Sequence, residues 1–451
     1  MVWRGTVRTG HVIISSVLLA SAALADETVW ADAQVSTTAQ LFSQGLVPGL
    51  PGALTRVEPA YPFTTTGFVR FGGVDLPNAK DSVSGELSAW GRVGARDGLL
   101  GDGDVTAAWV QYRHQHFRVK LGRQVTLPGS SRYVRFDGAA LGTTYGSFDL
   151  DVYGGWVALP RWNLPRGAVL LGFVGDALQD PLYLEAQNRA GQLTAGARAG
   201  VRFGRWGRAA LAFHEQHDDV GLAFRVVSAD AFARPASWLQ LGGRVSFDVA
   251  SLAVPEARVF ADVTALEALP LSVDYAFQQP ALLLPKSSVL AAFGGAAWHE
   301  LGAETRLQLP RSLSVTLRGA GQLFEGARLG GRGTARAQWT PGLDRRWLVI
   351  AEVSRAWVPP SGFTQLRLAA RWKATQALST SADAALYFYD TDVRGTRVSA
   401  TGITSLEWRL SKWVNALLSA TVMRTPYAAF EAQALARVVM TLDPVSAGGG
   451  T

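Results

Sequence analysis

The sequence predicts an all-β fold, a single antiparallel β-barrel that crosses a membrane, and three observations predict it. Apolar and polar residues alternate with period two over many segments separated by short turns, as in strands that have lipid on one face and water on the other. Beyond the N-terminus, no stretch stays apolar for the ~20 residues that a spanning helix needs. The mean hydropathy of +0.11 is high for a soluble protein and low for a helical membrane protein. Because lipid cannot satisfy an open sheet edge, the strands must close, and we expect an even number between about 18 and 22.

The stretch 363–373 shows the alternation most clearly. Successive side chains of an extended strand point to opposite faces, so one face here is apolar and the other is polar and basic. The apolar face comprises Leu366, Leu368, Ala370 and Trp372, and the other comprises Gln365, Arg367, Arg371 and Lys373. A soluble half-buried strand could show this pattern once, but here it recurs to the end of the chain.

The N-terminus resembles a secretory signal. Arg4 and Arg8 precede an apolar core at 12–24, and residues 23–25 form a small-x-small cleavage site. We therefore predict a signal peptide at 1–25, with an uncleaved helical anchor as the alternative. The 451-residue chain contains no Cys, which excludes disulfides and thiolate metal sites.

The rest of the chain divides into three predicted regions. Residues 26–64 form an N-terminal segment with a first strand at 28–38 and a Pro-rich stretch at 46–62 that is a loop or a small hatch. Residues 65–442 form the barrel, and residues 443–451 form a Gly-containing tail. Within the barrel we predict strands at 67–72, 83–93, 104–114, 117–126, 135–145, 147–158, 192–204, 206–216, 219–229, 238–250, 256–266, 270–279, 298–309, 312–324, 330–339, 346–357, 362–374, 377–389, 396–410, 412–424 and 430–442.

The lengths of the links between strands predict an orientation. Outer-membrane barrels have short periplasmic turns and longer outside loops. Two predicted long loops, 159–191 and 280–297, each contain more than one Pro. Very short links occur at 146–147, 204–205, 310–311, 375–376 and 411–412.

Tryptophans near strand ends favour aromatic girdles at the two membrane–water interfaces. Core or edge positions are the alternative for some of them. The residues are Trp298, Trp339, Trp347, Trp357, Trp372, Trp408 and Trp413.

The polar phase of the strands predicts a water-filled lumen in which basic positions outnumber acidic ones. Fixed arginines in a wet pore favour anions, although the same charges could serve solvation and folding alone. We expect these residues to line the pore: Arg118, Lys120, Arg198, Arg202, Arg244, Arg318, Arg367, Arg371 and Arg409.

One local motif is more specific. Residues 119–124 read Val-Lys-Leu-Gly-Arg-Gln, residues 135–138 read Arg-Phe-Asp-Gly, and an acidic alternating strand follows at 147–154. Over about 35 residues this succession resembles bacterial outer-membrane porins and alginate-export barrels. The resemblance implies a monomeric or trimeric channel narrowed by a loop, with Arg123, Arg135 and Asp137 lining or bracing the constriction.

Two features depart from the pattern of those barrels. Arg123 falls on the apolar phase of its strand, so we expect it at a rim or a bulge. The last strand ends in Val438, Met440 and Leu442, whereas such barrels usually finish with an aromatic residue.

We therefore predict an outer-membrane channel for passive diffusion or export of hydrophilic, anionic solutes through an Arg-rich lumen, with no catalytic residues, no metal and no cofactor. The alternatives are a channel for hydrophobic compounds with an N-terminal hatch and a barrel enzyme such as a lipid hydrolase. His214 and His217 look metal-like, but their spacing points them to opposite faces of a strand. Expected partners are outer-membrane lipid, lipopolysaccharide, the barrel-assembly machinery, small solutes or polyanions, and other copies in a homotrimer. The net charge of +7 is scattered, which gives no ground for nucleic-acid binding.

Overall fold

The computed structural model describes residues 30–39, 45–48, 54–57, 63–72, 81–94, 100–126, 134–158, 192–218, 221–265, 269–283, 296–342, 346–358, 361–393, 395–426 and 431–440. They form 24 strands and one short 3-10 helix at Pro280–Leu283. The strands are β1 Trp30–Ala39, β2 Gly45–Pro48, β3 Leu54–Val57, β4 Phe63–Gly72, β5 Ser82–Gly94, β6 Leu100–Arg113, β7 Phe117–Thr126, β8 Val134–Tyr145, β9 Phe148–Val157, β10 Leu193–Arg202, β11 Gly207–Asp218, β12 Gly221–Ala236, β13 Leu239–Asp248, β14 Ala253–Val263, β15 Leu271–Gln278, β16 Trp298–Leu309, β17 Leu313–Phe324, β18 Arg328–Trp339, β19 Trp347–Val358, β20 Ser361–Lys373, β21 Leu378–Val393, β22 Thr396–Arg409, β23 Val414–Arg424 and β24 Glu431–Met440.

Twenty-two of these strands form one antiparallel sheet. β1 pairs with β4, and from β4 onward each strand pairs with the next along the chain up to β24. β24 in turn lies beside β1, which closes the sheet into a barrel. The prediction of an all-β barrel with an even strand number is confirmed, and the number lies at the upper end of the expected range.

The outer face of the barrel is apolar. Leu366 and Leu368 of β20 are exposed there, as are Leu121 of β7 and Leu141 of β8. Their polar neighbours at odd spacing point to the inside. A closed antiparallel barrel with an even number of strands and an outward apolar band is the architecture of bacterial outer-membrane proteins. The chain is therefore a transmembrane β-barrel of the outer membrane.

The two rims of the barrel differ in the links that they carry. All five predicted short links join strands at one rim, which we call the short-turn rim; they connect β8–β9, β10–β11, β16–β17, β20–β21 and β22–β23. The links β9–β10 and β15–β16, which contain both predicted long loops, lie at the opposite rim, the long-loop rim. Of those two loops, the structure describes only residues 280–283 and 296–297. By the usual asymmetry of such barrels, the short-turn rim is the periplasmic one.

Tryptophans concentrate at the short-turn rim, as an interfacial girdle requires. Trp339, Trp347, Trp372 and Trp408 are outward-facing and exposed there. Trp357 is outward-facing at the long-loop rim. The prediction for Trp298 is wrong, because its register opposite Gln278 and Phe324 places it on the inward phase.

The N-terminal segment contributes directly to the wall. The predicted first strand is present as β1. Within the stretch 46–62, predicted to be a loop or a small hatch, the structure describes the antiparallel pair β2 and β3, which forms a separate two-stranded sheet. The predicted signal peptide 1–25 and tail 443–451 lie outside the described residues. Within the described residues, no helix has the length and hydropathy of a membrane span.

Candidate functional site

The inner wall carries the charged side chains that the alternation predicted. A ring of 22 strands is too wide for wall side chains to fill, since barrels of 16–18 strands already leave an aqueous channel. Antiparallel register places directly opposite residues on the same face. The inner wall is therefore where charges from neighbouring strands meet, and this wall is the candidate functional surface.

A recess of about 310 Å³ opens on the inner wall close to the short-turn rim, and we call it the cationic recess. Its floor is Gly200 of β10 opposite Ala210 of β11, two small residues that leave the space open. The charged residues that line it are Arg118, Asp149, Asp151, Arg198, Arg202 and Arg208.

Two of the arginines of the cationic recess are neutralised. The Nη2 atom of Arg118 lies 2.6 Å from Oδ1 of Asp151. The Nη2 atom of Arg198 lies 2.8 Å from Oδ1 of Asp230 on β12. These cross-strand pairs hold the two guanidinium groups against the wall.

The other two arginines face each other without such compensation. Arg202 and Arg208 are directly opposite in the β10–β11 register, and like charges so placed repel. Arg202 donates to the carbonyl of Gly146 at 3.3 Å. Within the described residues, neither guanidinium has a carboxylate oxygen within 4 Å. An anion between the two would relieve their repulsion.

Lys120 extends the basic surface toward the long-loop rim. Its Nζ atom lies 3.8 Å from the ring centroid of Trp109, a cation–π contact on the inner wall. Lys120 also borders a second recess of about 210 Å³, which shares Arg118, Asp151 and Arg198 with the cationic recess. Predicted residues of β7 and β10 are thus brought together on one side of the lumen.

Arg318 forms the centre of a different network on the inner wall. Its Nη1 atom lies 2.8 Å from Oδ1 of Asp274, and its Nη2 atom lies 3.4 Å from Oε1 of Glu300. Glu300 is almost completely buried and is also paired with Arg332 and with Gln322, whose Nε2 donates at 2.7 Å. The positive charge at Arg318 is therefore fully compensated, and this network fixes the wall rather than presenting free charge.

The remaining predicted pore residues are spread around the inner wall and differ in pairing. Arg367 forms a bidentate ion pair with Asp383 on β21. Arg371 reaches Glu407 at 3.3 Å. Arg409 has no carboxylate within ion-pair distance among the described residues.

Arg244 of β13 lies close to two charged residues of β14. Its Nη2 is 3.5 Å from Oε2 of Glu256, and Arg244 is directly opposite Arg258 in the register. Neither Arg208 nor Asp230 is among the pore residues predicted from the sequence. The predicted strand 219–229 ended one residue before Asp230, whereas β12 continues to Ala236 and carries Asp230 on its inward phase.

Of the two roles expected for Arg123, Arg135 and Asp137, lining or bracing a constriction, the register does not favour lining, because it places all three on the outward phase. They follow the phase of Leu121 and Leu141, which are exposed on the outer face. Arg123 binds Asp137 in bidentate fashion, with both N–O distances at 2.7 Å, and its Nη1 donates to the carbonyl of Val105 at 2.9 Å.

Arg123, Arg135 and Asp137 instead connect neighbouring strands of the barrel wall. The pairing of β6 with β7 ends at Ala108 and Arg123, where Gly122 adopts a φ of 111°. The Arg123 guanidinium links β6, β7 and β8 at this break. Arg135 is buried, and its Nε donates to the carbonyl of Ala158 at 2.7 Å.

The two metal-like histidines are separated, as the alternation predicts. His214 is buried in the inner wall, where its Nδ1 is 2.8 Å from the hydroxyl of Tyr153. His217 contacts Glu215 at 2.6 Å, on the other side of a bulge in the β11–β12 register. Within the described residues, no group of three or more His, Cys, Asp or Glu side chains could hold a metal ion.

No protein-family model matches the sequence, and no curated protein matches it. Among solved structures, the translocation pore of the P pilus usher PapC is 9% identical, with a TM-score of 0.46 over 91% of this chain and 99% of that one. OccK5 (OpdH) of Pseudomonas aeruginosa is 10% identical, with a TM-score of 0.42 over 92% of this chain and 98% of that one. OccK2 (OpdF) of the same organism, in complex with glucuronate, is 11% identical, with a TM-score of 0.41 over 91% and 98%.

Proposed function

We propose that this barrel is a porin-like channel through which small hydrophilic solutes cross the outer membrane passively, with anions favoured. The observation that carries the proposal is the cationic recess, where Arg202 and Arg208 face each other on the lumen wall without a carboxylate in ion-pair range among the described residues. A solute diffusing along the wall passes this point. The lumen width of a 22-strand ring supports a water-filled path.

The preference for anions follows from which arginines lack an ion pair, and not from the number of arginines on the inner wall. Paired arginines such as Arg118 and Arg367 contribute little net field, because their carboxylates cancel them. Arg258 and Arg306 add positive charge elsewhere on the lumen wall, since both are exposed on the inward phase without an ion pair to a described carboxylate. A monovalent anion about 5 Å from two guanidinium groups gains roughly 1–2 kcal/mol in water. Salt weakens this attraction, so selectivity is greatest at low ionic strength.

The charged inner wall disfavours a channel for hydrophobic compounds, and the hatch assigned to that alternative includes β1, which is part of the wall. The barrel-enzyme alternative needs a nucleophile beside a base. The hydrogen bonds described for His114, His217 and His299 lead to Asp81, Glu215 and Tyr275, so these contacts join none of the three histidines to a serine. Lipopolysaccharide, assembly-machinery and homotrimer contacts stay predictions.

The test is the reversal potential of the purified protein in a planar bilayer under a KCl gradient. The wild type is expected to conduct and to favour chloride. Arg202→Gln with Arg208→Gln should shift the reversal potential toward that of a non-selective pore without abolishing conductance. Arg355→Gln, on the outward phase of β19, is the matched control and should leave the potential unchanged. A barrel that does not conduct, or a double variant with unaltered selectivity, would contradict the proposal.

A further inference from the structure

The short-turn rim has a second feature that the channel does not use, an excess of cations in its links. Arg205, Arg311 and Lys412 occupy three of these links, and all three are exposed. The described residues of five links at this rim, 203–206, 237–238, 310–312, 374–377 and 410–413, contain no Asp or Glu. Asp81, in the β4–β5 link of the same rim, is bonded to Tyr112 and His114. Within the described residues, none of the three cations has a carboxylate in ion-pair range. This rim is thus positively charged where the strands leave the membrane.

Two of these cations lie beside tryptophans, the exposed Trp206 and the half-buried Trp413. The Arg205 guanidinium carbon lies 5.5 Å from the ring centroid of Trp206, and Lys412 Nζ lies 4.6 Å from that of Trp413. At the same rim, Trp347 and Trp372 stack with their centroids 5.5 Å apart. Tryptophan rings settle at the level of lipid headgroups. The neighbouring cations are therefore held at headgroup depth.

The outer face near the long-loop rim is different. Arg225 lies 2.7 Å from Glu215, and Arg355 lies 2.6 Å from Asp390, so these outward arginines are neutralised by the chain itself. The two rims therefore present different charge to the two membrane leaflets. At the long-loop rim the outward Arg424 is the exception, since it has no ion pair to a described carboxylate. The short-turn rim has three such cations among the described residues, and two of them lie beside tryptophan rings.

We propose that the short-turn rim binds the headgroups of anionic phospholipids in the leaflet that surrounds it. Arg205, Arg311 and Lys412 supply the charge, and the adjacent tryptophans fix the depth. A cation near an anionic membrane surface is attracted by an amount equivalent to about a fivefold change in affinity. The binding also orients the barrel, because the neutralised arginines of the long-loop rim gain less from an anionic leaflet.

The rim tryptophans allow a direct test by energy transfer. The full-length protein is refolded into phosphatidylcholine vesicles that contain a trace of dansyl-labelled phosphatidylglycerol or dansyl-labelled phosphatidylcholine. The wild type should transfer more energy to the anionic lipid. The variant R205Q/R311Q/K412Q should lose at least about fivefold of this preference, the equivalent of one charge. The matched control R225Q/R355Q/R424Q, which removes three cations from the opposite rim, should keep it.

A conservative variant, high salt and inorganic phosphate provide three further measurements of the same lipid preference. The conservative variant R205K/R311K should retain the preference, since charge and not guanidinium geometry carries it, and heat-dependent gel mobility shows that each variant has folded. High salt should weaken the preference. Loss of the preference in inorganic phosphate, but not in chloride of equal ionic strength, would indicate a free-anion site and overturn the proposal. Equal transfer to both lipids by the wild type, or equal loss in the control, would also overturn it.

Discussion

Glu300 and Glu304 offer a sharp test of how the inner wall is held together. They lie four residues apart on β16 and share the inward phase. Glu300 is 2% exposed and accepts hydrogen bonds from Arg332, Arg318 and Gln322. Glu304 is 42% exposed, and its one ion pair among the described residues is with Arg318, at 3.8 Å. Truncation of each to Ala removes the same atoms from two different environments.

The expected costs follow from these contacts. Removing one partner of a buried ion pair costs about 3–5 kcal/mol. Because Arg332 is about half exposed and can rehydrate in the lumen, Glu300→Ala should cost about 3 kcal/mol, at the lower end of that range. An exposed ion pair contributes about 0–1 kcal/mol, and Arg318 keeps Asp274 at 2.8 Å in either variant. Glu304→Ala should therefore change stability by less than about 1 kcal/mol.

The assay is reversible urea unfolding of the barrel in lipid vesicles, followed by tryptophan fluorescence. A double-mutant cycle of Glu300→Ala with Arg332→Met isolates the pair itself, and a coupling energy above about 1 kcal/mol is expected. Equal destabilisation by the two alanine variants would refute the reasoning, because burial of the carboxylate would then not determine the cost.

Other substitutions test the two faces and the close approaches of the wall. Leu368→Arg, at mid-height on the outer face, should cost about 2–4 kcal/mol in a bilayer, whereas Ala369→Arg on the inner face should fold normally by heat-dependent gel mobility. Gly138→Ala should reduce the folded yield, because its Cβ would collide with the backbone of β9, while Gly319→Ala has open space and should be neutral. Arg123→Leu should lower the unfolding free energy by about 1–3 kcal/mol, measured in urea, yet leave ion selectivity unchanged because Arg123 is not in the lumen.

The fold could be predicted from the sequence because each strand of a membrane barrel alternates apolar residues, which face lipid, with polar residues, which face the lumen. All 22 wall strands coincide with predicted segments, including β1 and the weakly patterned β8. Strand ends were harder to predict. At the rims both faces meet water, so alternation fades, and β12 extends seven residues beyond its predicted end at 229.

The candidate site was harder to predict from the sequence than the fold. Ion pairing depends on which strands are neighbours and on the register between them, and neither can be derived from alternation within one strand. Alternation placed Arg198 and Arg318 on the polar phase of their strands, but it could not show that carboxylates neutralise both. The opposition of Arg202 and Arg208 follows from the four-residue turn between β10 and β11. The motif containing Arg123 and Asp137 was misleading because its resemblance suggested the lumen, whereas its own phase placed it outside.

The contact of β1 with β24 has a consequence for how the molecule is made. The first and the last strand of the ring are neighbours. The contact that closes the barrel can therefore form only after the whole chain has been synthesised and β1 and β24 have come together. Until then each carries a row of unsatisfied backbone groups, an aggregation hazard. Loops that close over so many residues also form slowly. A chain truncated before β24 is therefore expected to aggregate as an open sheet with two unpaired edge strands, and not to form a slightly narrower pore.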